Sequence, residues 1–401
     1  ITLPRQTTVP KLSSGEKTVN PANNMMKDSY LLDPKITFLN HGSFGACPKP
    51  VFEEYQNWQR KLEEQPVKFM TEDVYHQLKI ARDILGTFVG CDGDDLIFVP
   101  NSTTAVNTVI RSLNLSAGDQ ILSTDHEYGS LVRAWEWLTR KEQVEFIQRE
   151  FPLPMTNHDE FVGHFWEGVT DKTRVIFLSQ ITSSTGLIFP VAGICKKARE
   201  AGILTIIDGA HVPGHIPLNI REMDPDIYTG ACHKWLSAPK GTTFLYVRKD
   251  FQESIKPLII SWGAIIDPSP SPFIHENQYQ GTRDPSPFLA VPAAIRFQGE
   301  NDWELVKLRC CRLTRETRDR VYDIIHTVPI CPNSEEWLGQ MASVEIEVDD
   351  PEKLKNSLLE DYAIEIPVIA WKEKSLLRFS FNVYNEQRDA DKLINALMEL
   401  F

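Results

Sequence analysis

Lys234 stands in TGACHKWLSAPKG (229–241), a run of small and apolar residues between two strand-like segments, DIYTGA and TTFLYVRK. An ammonium group beside a core costs several kcal/mol unless it is paired, neutralised or consumed by chemistry. Three more features share the setting of a strand end. Asp208 closes the apolar run of IIDGAH (206–211), where a carboxylate needs a partner. NSTTAVN (101–107) places Ser102 and Thr103 at a strand-to-helix turn, where hydroxyls and free N–H groups favour a phosphate. TDHEYGS (124–130) puts His126 and Tyr128 after another strand, suited to lying over a planar ligand. Each has an ordinary alternative: a plain helix cap for Ser102, a loop aromatic for Tyr128, a structural turn cap for Asp208. For Lys234 the alternative is a stem packed on the core with its amine in water.

Together the four have one chemical explanation. A phosphate cradle, an aromatic cover, a carboxylate and a lysine describe a site for pyridoxal 5′-phosphate (PLP). Lysine joins the aldehyde as a Schiff base, and the carboxylate keeps the pyridine nitrogen protonated so that the ring accepts electrons from Cα.

The elements that must position these residues follow from periodicity. From about residue 94, β-rich runs alternate with amphipathic helices; Ala105, Val106, Val109, Ile110 and Leu113 share one helical face. Such alternation predicts a mainly parallel sheet covered on both faces, with ligands beyond the carboxyl ends of the strands. After the proline-rich stretch IIDPSPSPFIHE (265–276), long helices (303–326) and the strands ASVEIEV, IEIPVIAW and LLRFSF predict a smaller α+β domain. The expected division is a polar, flexible arm at 1–27, a large PLP-binding domain at 28–295 and a small C-terminal domain at 296–401. The segment 28–60 is expected to pack with the small domain. Met25 and Met26 offer internal starts.

Composition excludes several function classes. With 401 residues, 42% hydrophobic and 24% charged, the chain reads as globular. A formal net charge of −13 argues against nucleic acid or an anionic membrane as partner. No run approaches the roughly 18 apolar residues of a membrane span. Seven cysteines (47, 91, 195, 232, 310, 311, 331) lack metal-ligand spacing and fit reduced thiols in the cytoplasm; no metal is expected.

The sequence also resembles a known family, the class-V aminotransferases, which include the cysteine desulfurases, and within it the isopenicillin N epimerase-like branch. The resemblance is carried by LNHGSFGACPKPV (39–51), NSTTAVN, TDHEYGS, IIDGAHVPG (206–214), YTGACHKWLSAPKG (228–241), SWG (261–263), QGTRDPSPFLAVPAAI (280–295) and LLRFSFNVYN (376–385). It implies a fold-type I PLP-dependent transferase. Lys234 matches the Schiff-base lysine, Asp208 the partner of the pyridine nitrogen and His211 a residue near the ring oxygen. Ser102, Thr103 and His233 match phosphate ligands. Thr282 matches a residue reaching the neighbouring subunit's cofactor, which implies a homodimer with shared sites. Tyr128 is the preferred stacking residue, with His126 its rival. Arg378 matches the arginine for the substrate carboxylate, and Asn40, Gly42 and Ser43 the substrate side.

Two departures bear on the reaction. Desulfurases carry a cysteine before the carboxylate-binding arginine, and IEIPVIAWKEKSLLR contains none. Ala231 stands where desulfurases place a phosphate-binding serine. The leading expectation is epimerisation of an amino acid at Cα, with Tyr128 or His126 as proton source on the second face. The alternatives are a C–S lyase, an aminotransferase, and a catalytically inactive binding protein.

Overall fold

The computed structural model describes residues 26–269 and 271–401. The arm expected at 1–27 lies, apart from Met26 and Lys27, outside the described residues. The strands are β1 (Thr37–Phe38), β2 (Leu96–Val99), β3 (Gln120–Thr124), β4 (Glu145–Arg149), β5 (Thr173–Ser179) and β6 (Leu204–Asp208). They continue with β7 (Ile227–Ala231), β8 (Thr243–Val247), β9 (Met341–Ile346), β10 (Ile364–Glu365), β11 (Val368–Trp371) and β12 (Lys374–Ser380).

Seven strands form one sheet in the order β2-β8-β7-β6-β5-β3-β4. Only β8 runs against the others, pairing antiparallel with β2 and β7. Strand residues divide between two cores because successive side chains point to opposite faces. Ile97, Val99, Ile206 and Leu245 enter one core, with the helix Ser102–Ser112; Leu96, Phe98, Ile207 and Phe244 enter the other, with the helix Val191–Ala201. Burial on both faces is why these strands read as continuous apolar runs rather than alternating ones.

The carboxyl ends of β3, β5, β6 and β7 therefore lie side by side, at Thr124, Ser179, Asp208 and Ala231. This edge holds the site. Above it stands a three-stranded antiparallel sheet, β11-β12-β9, with the helices Trp303–Ile325, Pro351–Glu360 and Gln387–Leu400.

The run IEIPVIAW, expected as one strand, breaks at Pro367 into β10 and β11. Proline has no N–H to continue a ladder, so β10 pairs with β1 while β11 pairs with β12. The β1–β10 pairing, with Ser380 N–H donating to the Leu39 carbonyl at 2.9 Å, fixes the N-terminal segment against the C-terminal part. The chain then delivers Gly42, Ser43 and Phe44 to the strand ends. Gly45 (φ 71°) completes the approach, since a Cβ there would collide with the carbonyl oxygens of His233 and Lys234.

Candidate active site

A cavity of about 350 Å³ opens at the carboxyl ends of the strands. Ten sequence-predicted residues line it: Gly42, Ser43, Ser102, Thr103, Tyr128, Asp208, His211, His233, Lys234 and Arg378.

Lys234 follows β7 on a turn closed by Ser237 N–H to the Lys234 carbonyl (3.1 Å) and Ala238 N–H to the Cys232 carbonyl (3.0 Å). Ser237 sits in the left-handed region (φ 62°), the sharp bend that turns the chain back toward β8. The Lys234 Nζ lies 3.0 Å from His211 Nε2. Burial lowers its pKa to about 8, opposed by Asp208 and reinforced by Arg378. A substantial fraction of the amine is therefore neutral near physiological pH, as a nucleophile or base requires.

Asp208 ends β6, buried, with Oδ1 accepting from the Ala210 N–H at 2.9 Å. Burial raises its pKa; the Ala210 hydrogen bond and Lys234 pull it back. Its Oδ2 makes no hydrogen bond among the described residues, which leaves one oxygen for a cationic partner in the cavity.

The helix starting at Ser102 is capped by Asn101, whose Oδ1 accepts from Thr104 N–H at 2.8 Å. That settles the alternative of a serine cap. Ser102 Oγ is buried without a partner, and the first helical N–H groups have no intrahelical acceptor. A hydroxyl and free amides at a helix N-terminus fit an anion. His233 donates Nδ1–H to the Thr242 carbonyl at 2.8 Å, and burial lowers its pKa to about 4.

Arg378, on β12, is buried, and among the described residues its guanidinium bonds only neutral oxygens: the Ser183 carbonyl, and Ser43 Oγ at 2.8 Å. Ser43 in turn donates to Asn40 Oδ1 at 2.5 Å. Asn40 thus stands behind Ser43 rather than in the lining. Burial lowers the Arg378 pKa to about 10. A buried guanidinium with no carboxylate on it is prepared for one from outside.

The two candidates for stacking separate clearly. Tyr128 lines the cavity and is 46% exposed. His126 is fully buried away from it, against Thr185 Oγ1 and the Phe151 carbonyl (both 3.0 Å) and the Trp371 ring (4.6 Å). The expectation that His126 rivals Tyr128 as a stacking group or proton source is corrected: both ring nitrogens are used in the fold. Thr282 is exposed and outside the cavity lining of this chain.

The residues thus fit PLP on the evidence of their unfilled bonding capacity: an orphaned hydroxyl at a helix start, a half-bonded carboxylate and an unneutralised guanidinium. Residues 44–393 match the aminotransferase class-V family. The chain belongs to that family. It is a PLP-dependent enzyme acting on an amino-acid substrate, in the isopenicillin N epimerase-related branch of the class-V enzymes. It is 33% identical over 391 residues to the isopenicillin N epimerase of Amycolatopsis lactamdurans, covering 93% of this chain and 97% of the relative. It is 34% identical to that of Streptomyces clavuligerus, covering 92% and 95%. A cystine C–S lyase solved with its product cysteine persulfide shares the fold, at TM-score 0.79 and 20% identity over 91% of this chain and 98% of that one.

Sequence reasoning missed Phe44, Asn101, Ser179, Ile181, Ser183 and Ala210 in this class-V site. Four of them were within reach: Ser179 ends β5, Ile181 and Ser183 follow it, and Ala210 follows β6, all at strand ends where such sites are built. Phe44 carries no such signal, since it arrives only through the β1–β10 pairing. Among the described residues no helix is long and apolar enough to cross a membrane.

Proposed function

We propose that this enzyme epimerises or racemises an amino acid at Cα. PLP, when bound, supplies an electron-poor ring that accepts the electron pair released at Cα. The observation that carries the reading is the placement of Lys234 and Tyr128 on one cavity while His126 is locked in the fold. Lys234 Nζ takes the Cα proton, and the Tyr128 hydroxyl returns one on the other side. Asp208 holds positive charge at the ring nitrogen, Ser102, Thr103 and His233 hold the phosphate, and Arg378 with Ser43 holds the substrate carboxylate. The relatives named isopenicillin N epimerase, at 33% and 34% identity over nearly the whole chain, support the same choice.

A C–S lyase is the second reading, since it needs only the first proton transfer and a leaving group at Cβ. Persulfide chemistry on an enzyme thiol is disfavoured, because no cysteine lines the cavity among the described residues.

A homodimer with shared sites forms part of the proposal. Ile260, Trp262 and Ile265 are 87%, 64% and 74% exposed, an apolar stretch suited to a second copy. Thr282 follows the helix Pro272–Gln278 that packs against this stretch. Seven free cysteines support a cytoplasmic location.

The test is incubation of the PLP-loaded enzyme with L-amino acids in deuterated water. Deuterium at Cα with formation of the D-isomer is expected. Release of a 2-oxo acid and ammonia with no D-isomer would replace this reading with β-elimination.

A further inference from the structure

Trp235, next to Lys234, is fully buried and points its indole Nε1–H at His211 Nδ1, 3.3 Å away. An indole nitrogen only donates, so Nδ1 must accept. The proton of a neutral His211 then belongs on Nε2, which lies 3.0 Å from Lys234 Nζ. The opposite tautomer would set an Nδ1–H head-on against the indole N–H. Burial and the Arg378 guanidinium hold the ring neutral, and with the Lys234 amine in its neutral form, which burial favours, the Nε2–H has a lone pair to donate to.

Trp235 is itself held by groups with fixed bonding direction. His215 stacks on it at 3.8 Å between ring centres and 19° between planes. The His215 ring cannot turn, because Nδ1–H donates to the His211 carbonyl (2.9 Å) and Nε2 accepts from the Gln340 N–H (2.7 Å). On another side lies His41, 4.9 Å between ring centres. It donates Nε2–H to the Lys234 carbonyl (3.1 Å) and accepts from the Tyr384 hydroxyl (2.7 Å). These bonds hold His215 and His41 in fixed orientations around the indole, which keeps the Trp235 N–H directed at His211 Nδ1.

We infer that Trp235 is a positioning residue that fixes His211 as the Nε2–H tautomer and so makes it an obligatory hydrogen-bond donor to the cavity. His211 then serves as a donor toward Lys234 and the cofactor and is not the base that removes a substrate proton. The inference rests on the proposed PLP reading only for what the donor serves; the tautomer itself is a property of the full-length protein alone.

Two measurements test it. Protein labelled with ¹⁵N-histidine, without cofactor, is examined above pH 8, where the Lys234 amine is neutral, by ring ¹⁵N–¹H correlation, with His211 assigned by its loss in H211Q. The Nε2–H pattern is expected in the wild type and a mixture of tautomers in W235F. An Nδ1–H or doubly protonated wild-type ring would overturn the inference, as would an unchanged pattern in W235F. The second measurement is PLP affinity in a double-mutant cycle. Loss of one directed hydrogen bond predicts that W235F weakens PLP binding roughly tenfold. In the H211Q background the same change is expected to cost less than about twofold, because an amide N–H needs no tautomer selection. An equal loss in both backgrounds would show mere packing by Trp235 and refute the assignment. Should the wild type take up no PLP, the cofactor reading fails while the tautomer result stands by itself.

Discussion

Lys234 Nζ and His211 Nε2 meet at 3.0 Å, and burial moves both groups toward their neutral forms. The folded pKa of Lys234 is lowered from 10.5 to about 8. Between those values the unfolded chain binds the additional proton, so folding stability rises with pH across that window. Below about pH 8 the buried ammonium is a cost. Lys234→Met is therefore expected to raise the stability of the cofactor-free protein at pH 7, by roughly 1–3 kcal/mol, and to flatten its rise between pH 8 and 10.5. Denaturant midpoints across that range check both signs. The same variant should leave PLP without its visible absorbance band and abolish catalysis.

Arg378 bonds the Ser183 carbonyl and Ser43 Oγ and, among the described residues, no carboxylate. Arg378→Lys keeps a cation but loses the planar fork that grips two oxygens. It is expected to raise KM about 10- to 100-fold, with PLP binding little changed, consistent with loss of about 1.5–3 kcal/mol of charge-assisted bonding. Ser43→Ala should raise KM by less than tenfold, because the guanidinium keeps its Ser183 contact. Steady-state kinetics beside a PLP titration separates substrate loss from cofactor loss.

His233 donates Nδ1–H to the Thr242 carbonyl, which leaves Nε2 of the neutral ring without a proton to give. A phosphate oxygen is an acceptor, so anion binding at this residue requires a proton on Nε2. The free-state pKa is about 4, and phosphate is expected to draw it upward. Binding of inorganic phosphate to the cofactor-free protein should therefore take up more protons in the wild type than in His233→Gln. Calorimetry in buffers of different ionisation heat gives that difference directly, and equal uptake would remove His233 from the phosphate site.

Part of the site was legible from strand ends, while Arg378, His211, His233, Gly42 and Ser43 were legible only through the family resemblance. Lys234 stood out as a charge inside a small, apolar run and Asp208 as one closing an apolar strand, and the doubly covered sheet followed from the alternation of strands with amphipathic helices. What stayed hidden depended on choices that residue type does not make. Asn101, Ser102 and Thr103 are all good helix caps, so only the turn geometry shows that Asn101 caps and leaves Ser102 Oγ free. Phe44 joins the site through a contact distant in sequence, the β1–β10 pairing. Trp235 reads as an ordinary core residue until its indole N–H is seen to meet His211 Nδ1, 24 positions away. The break at Pro367 was visible as a proline, but its partners were not.

His126 and Tyr128 are two positions apart and share one turn after β3, yet one belongs to the fold and the other to the cavity. His126→Asn breaks contacts with Thr185, Phe151 and Trp371. It is expected to cost about 1–3 kcal/mol of stability while the remaining folded enzyme keeps its ratio of isomerisation to Cα exchange. Tyr128→Phe removes only a hydroxyl from a half-exposed ring, so stability should change by less than about 0.5 kcal/mol. If that hydroxyl returns the proton on the second side, D-isomer formation falls roughly 10²- to 10⁴-fold, the range of general acid catalysis. Exchange of the L-isomer's Cα proton through Lys234 persists. Measuring both rates on one sample in deuterated water decides the point. A parallel fall in exchange and isomerisation would make Tyr128 a stacking residue alone and leave the second proton source elsewhere in the cavity.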